Sequence, residues 1–115
     1  MTMYPVGLLY IEPSRHISPE PVIDELTRKM AAGFRQSTIS VTWRGDHHCA
    51  CGARSDHNDH LLRNGVETNT RCVHYLAYHR AEVPSLQLDI VAALKEEPVE
   101  PTKLELEGYR DKLYR

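Results

Sequence analysis

A chain of 115 residues with 41% apolar side chains has room for one small domain and a modest core, and a domain of that size gains proportionally from any extra staple such as a bound metal. Its formal charge of −2 draws the whole molecule toward neither nucleic acid nor a membrane surface. No stretch approaches the ~20 apolar residues that a membrane span needs.

The opening "MTMYPVGLLYIEP" lacks the basic region and the apolar length of a secretory signal, so the sequence reads as cytoplasmic. Residues 5–12 form a short apolar run ended by Pro13, the pattern of a buried strand. Ser18 before Pro19 is a helix start. Val22, Ile23, Leu26 and Met30 then recur at helical spacing, with Gly33 as the C-terminal cap. Residues 37–43, "STISVTW", alternate and are β-branched, which predicts a strand. "SDHNDH" (55–60) reads as a polar loop, and Asn64-Gly65 is a strong hairpin signal.

Thr68 or Asn69 caps a helix predicted to run as far as Pro84, and Ser85 caps another carrying Leu86, Leu88, Ile90, Val91 and Leu94. The proline-bearing "KEEPVEPT" (95–102) is a linker. Thr102-x-x-Glu105 is a capping box that opens a last charged helix, to about residue 114. The fold class expected is α+β, a small antiparallel sheet or hairpin with three or four helices and a zinc-finger-like centre. Residues 1–95 form the domain. Residues 96–115 form a linker and helix that either pack on the body or reach for a protein partner.

The chemistry concentrates in "HHCACG" (47–52) and "CVHYLAYHR" (72–80). Three cysteines are an odd number, and a reducing cytosol disfavours a structural disulfide. If residues 47–51 are extended, His47, Cys49 and Cys51 share one face. His-x4-His on a following helix fits the spacing of a Cys2His2 zinc site. The span between Cys51 and His74, twenty-two residues, is longer than in a finger, so the hairpin must fold between the ligands. On a regular helix His74 and His79 stand about 140° apart, with His79 inward and His74 outward, and a distorted last turn is needed to bring both to one ion. The ligand order is Cys49 and Cys51, then His79, then His74 ahead of Cys72, with His47 in reserve. One zinc per chain in a closed Cys/His site is structural.

The string from "WRGDHHCACGARSD" to "NGVETNTRCVHYLAYHRAEVP" resembles a group of small bacterial proteins. The group shares Trp-x-Gly, His-x-Cys-x-Cys-Gly, Asn-Gly, Thr-Asn and Cys-Val-His-Tyr-Leu before His-Arg. The resemblance covers residues 43–84 and implies that His47, Cys49, Cys51, Cys72, His74 and His79 act as one constellation. It implies no activity. "DHH" at 46–48, an asparagine at 58 or 69 and a helix histidine also loosely resemble the HNH nuclease pattern. That pattern would make His47 or His48 the base, with Asp46 and His74 or His79 as metal ligands.

Three functions follow. The first is a zinc-stabilised binding or adaptor module. The second is nucleic-acid binding through Arg54, Arg63, Arg71 and Arg80, in a stretch (34–80) that holds six arginines, no lysine and four acids. The third is a metal-dependent hydrolase. No carboxylate spacing declares a catalytic set, which favours a binding role over an enzyme.

Overall fold

The computed structural model describes residues 7–11, 13–42, 51 and 58–107. It is α+β, with a three-stranded antiparallel sheet and, among the described residues, four α-helices. The elements are α1 (Glu25–Arg35), β1 (Thr38–Thr42), β2 (Asn58–Leu61), β3 (Glu67–Asn69), α2 (Cys72–Tyr78), α3 (Ser85–Ala92) and α4 (Lys103–Glu107). The sheet runs β1-β2-β3, with a register shift between Ile39 and Val41. The core lies where α1, α2 and α3 meet and is filled by Met30, Ala31, Leu62, Val73, Tyr75, Leu76, Val91 and Leu94. No helix among the described residues is long and apolar enough to cross a membrane.

The hairpin forms around Asn64-Gly65. Gly65 takes φ 89°, which only glycine adopts without strain. The Asn64 Oδ1 accepts the Val66 N–H at 3.0 Å, and Leu62 and Val66 close the loop at 2.8 Å. The connection is five residues long rather than a two-residue turn. The second half of "SDHNDH" is β2 rather than loop. There Asp59 is buried, the His60 ring packs on Phe34 at 4.7 Å, and its Nδ1 lies 3.2 Å from the Ser37 Oγ. His57 lies outside the described residues.

Several expected element boundaries move. Residues 7–11 are not a strand. Leu8 and Leu9 are fully buried, but Leu9 turns through φ 62°, and the segment is tied down piecemeal beside β3. Leu8 donates to the Glu67 carbonyl at 2.7 Å, while the Thr68 Oγ1 and Asn69 Nδ2 bond the carbonyls of Leu8 and Leu9. Asn69 is therefore occupied there, and its Oδ1 takes the Arg71 N–H at 2.8 Å instead of capping α2.

The first helix begins at Glu25, not near Ser18. Pro21 disfavours a helical Glu20, and Ser18 and Val22 spend their N–H groups on the carbonyls of Tyr78 and Ala77. Asp24 is the real cap, accepting the Thr27 N–H at 3.2 Å. Gly33 does not end α1; it sits inside the helix, where a Cβ would meet the Leu94 Cδ1 at 3.1 Å. A close approach of α1 to the end of α3 is what makes glycine fit. Ser85 is the first residue of α3 without a side-chain cap, Pro84 standing at the cap position.

The segment after residue 95 packs on the body. Val99 donates to the Arg28 carbonyl at 3.2 Å, and Arg28 pairs with Glu100 at 3.0 Å. The capping box forms as expected, with the Thr102 N–H on the Glu105 Oε1 at 2.8 Å and the Glu105 N–H on the Thr102 Oγ1 at 3.1 Å.

Asp24 carries a second load. Its carboxylate takes both ends of the Arg80 fork at 2.8 and 2.7 Å, and that pairing holds its carboxyl well below the usual carboxylate range. Asp24→Ala is expected to lower stability by about 1–2 kcal/mol, the usual cost of a lost cap, read as a shift in denaturant midpoint at constant m-value. Because the folded-state pKa lies below the unfolded one, the contribution is full above about pH 4 and is lost as pH falls through the folded value. The gap between wild type and variant should therefore narrow in acid. A gap that stays constant from pH 7 to pH 2 would contradict this assignment.

Candidate metal centre

The site is built where α2 stops. Val83 is extended ahead of Pro84 (φ −83°, ψ 124°), as a residue before proline prefers to be. His79 leaves the helix at φ −127°, ψ 30°, and a 3-10 turn follows over Arg80–Glu82. The distorted turn that shared ligation requires is present. It brings the rings of His74 and His79 to 5.1 Å between centroids, although a regular helix would hold them far apart.

The wheel's outward placement of His74 is overturned, since His74 is 1% exposed and His79 2%. The reason is α4, which packs on α2 and covers that face. The Leu106 carbonyl meets the His74 Nδ1 at 2.8 Å. A carbonyl only accepts, so Nδ1 carries the proton and Nε2 presents its lone pair. Nε2 lies 3.2 Å from the Cys51 Sγ.

Cys51, half-buried in the connection from β1 to β2, is the third member. One ligand atom from each of Cys51, His74 and His79 falls within 4.8 Å of the others. Zinc bonds of ~2.0–2.3 Å put tetrahedral ligand atoms roughly 3.3–3.8 Å apart, so the group needs little closure to hold an ion. Burial lowers the His79 pKa and so favours the neutral imidazole that a metal requires. On the Nδ1 side of His79 stands Glu82, its Oε2 at 3.6 Å. That carboxylate is fixed by the Ser14 N–H at 2.8 Å and the Ser14 hydroxyl at 3.1 Å. A carboxylate or carbonyl behind each imidazole is the usual outer shell of a metal site.

The other expected ligands part company. Cys72 is fully buried in the core and does not join the group. Burial pushes its thiol up to about 12, the reverse of what a thiolate ligand needs. Cys49, His47, His48 and Asp46 lie outside the described residues. Glu82 and the Leu106 carbonyl were not anticipated. The spacing of Glu82, three residues after His79, was a signal in the sequence; nothing there announced Leu106.

Two of the four arginines offered for phosphate contact are engaged. Arg80 is clamped on Asp24 and also donates to the Leu76 carbonyl at 3.0 Å. Arg71 is buried over the Tyr75 ring at 5.1 Å. A cavity of about 230 Å³, lined by Ile17, His74, Tyr78 and Glu107, opens beside the metal group.

No protein-family model, curated protein or solved structure matches the chain.

Cys51 and Cys72 should separate in reactivity. With a thiol alkylating agent at pH 8 on the metal-free chain, at a temperature where circular dichroism shows it still folded, Cys51 should be modified while Cys72 stays intact until the chain unfolds, as read by peptide mass spectrometry. Equal labelling rates would contradict the buried, protonated state of Cys72.

Proposed function

We propose that this is a small zinc-binding protein in which one ion per chain is held by Cys51, His74 and His79, with Cys49 as the fourth ligand, and in which the ion's role is structural. The observation that carries the reading is the convergence of two buried imidazoles and a thiol within 4.8 Å, with a proton acceptor already fixed behind His74. Such a donor set suits zinc better than a hard cation, which takes oxygen ligands. Cys49 enters because residues two apart in an extended segment share a face. On this reading the protein works as a cytoplasmic binding or adaptor module, and the resemblance over residues 43–84 marks relatives built around the same site. A protein partner is favoured over nucleic acid, because Arg71 and Arg80, two of the four arginines offered for phosphate contact, are already engaged within the fold.

A metal-dependent hydrolase is the second reading, and the cavity against His74 is what favours it. Three protein ligands with an open position for water is the catalytic pattern. Elemental analysis of the purified protein separates the two. The structural reading predicts about one zinc per chain, lost together with the fold in Cys51→Ala, His79→Ala and Cys49→Ala. It also predicts a large fall in Tm on chelation, because structural zinc energy is folding energy. Zinc retained in Cys49→Ala, with turnover of an ester or phosphodiester substrate, would favour the hydrolase. Absence of metal, or a Tm indifferent to its removal, would sink the structural proposal.

A further inference from the structure

The ring of His74 is held from behind by α4, which packs on α2. Leu106, whose carbonyl accepts from the His74 Nδ1, lies on that helix. Leu106 and Val99 pack residues 99–107 against the core, and Glu105 adds a polar anchor. Its Oε1 closes the capping box with the Thr102 N–H, and the same carboxylate receives the Arg35 fork, Nε at 3.0 Å and Nη2 at 2.8 Å. The Glu105 side chain is 11% exposed and that of Arg35 37%, so the bidentate pair is half-shielded from the screening that makes most surface pairs weak. Arg35 also reaches the Glu100 carbonyl. One guanidinium on α1 therefore helps to set the position of the carbonyl that orients a candidate metal ligand on α2.

We propose that Arg35 and Glu105 are positioning residues of the metal site, and that docking of residues 99–107 and occupancy by zinc form one coupled equilibrium. The inference rests on the zinc reading above. The docked segment fixes the His74 tautomer and ring orientation and so raises affinity for the ion. By linkage, the bound ion holds the segment down by the same factor. A partner that pulls α4 away would release the metal, and one that binds the docked form would retain it.

The discriminating variant is Glu105→Gln. Glutamine still serves a capping box, so helix initiation is kept while the charged fork is lost. The zinc dissociation constant of the full chain should rise about tenfold, the lower end of what outer-shell changes cost. The cobalt-loaded protein should show altered d–d bands, a signature that a merely looser fold would not produce. Arg28→Gln, which removes the exposed pair with Glu100, should change affinity less than twofold.

In the wild type, saturating zinc should slow hydrogen exchange of the Glu105 and Leu106 amides, both bonded to Thr102. That comparison needs no variant and decides the matter if Glu105→Gln fails to fold. Unchanged affinity and cobalt spectrum in a folded Glu105→Gln, or exchange indifferent to zinc, overturns the coupling and leaves the zinc site standing. A wild type that binds no zinc removes both.

Discussion

The termination of α2 is the constraint on which the rest depends. Its last four carbonyls are each satisfied, by a helical N–H, by two backbone N–H groups from the preceding segment and by a guanidinium. Tyr75 takes the His79 N–H at 2.9 Å, Ala77 the Val22 N–H at 2.8 Å and Tyr78 the Ser18 N–H at 3.0 Å; Leu76 takes the Arg80 Nε at 3.0 Å. Helix ends leave these groups orphaned, and burying them unpaired would cost about 1–3 kcal/mol each. The segment 18–22 is therefore kept out of helix so that it can close α2. Arg80 then reaches on to Asp24 and Thr27, locking that closure to the start of α1. Because α2 stops where it does, His79 swings free of the helical wheel and meets His74.

The second organising device is the same chemistry used again. A guanidinium at Arg80 ties the end of α2 to the cap of α1, and another at Arg35 ties the end of α1 to the cap of α4. Both forks are bidentate, which fixes direction as well as distance. Between them they frame one histidine each, since His79 precedes Arg80 and His74 is backed by the helix that Arg35 holds. Side chains that look like ordinary surface charge in the sequence thus determine how accurately two imidazoles converge.

Much of this was legible and some was not, for identifiable reasons. The capping box at Thr102 and the strand at 38–42 are local signals, satisfied within a few residues, and they survive folding intact. The donors Cys51, His74 and His79 were legible by residue type and spacing. What failed was anything decided by a distant partner. Residues 7–11 have a strand's composition but are pinned to β3 by side chains of Thr68 and Asn69. Gly33 looks like a cap and is instead a clearance for Leu94. His74 seemed outward because the wheel knows nothing of α4, and a hydrogen bond across thirty-two positions leaves no periodic trace.

On the proposed structural reading, a metal would staple segments that the rest of the fold joins only loosely in sequence. The ligand-bearing segments are far apart in sequence, with twenty-two residues between Cys51 and His74, and bringing the ends of such a loop together in a disordered chain is entropically costly. That cost grows only slowly with loop length, so an ion that closes a long connection opposes a penalty little larger than a short one would carry. The hairpin β2–β3 lies inside this loop and pairs its own strands, so part of the loop is ordered by contacts other than those an ion would make. The core leaves Leu86 66% exposed, so part of the apolar surface stays outside it. Polar groups buried at the site stabilise only when each is met. With Nδ1 of His74 on a carbonyl and a carboxylate behind His79, the outer atoms of both imidazoles face acceptors. What the site still offers is directed inward, at the point where the thiol and the two rings converge.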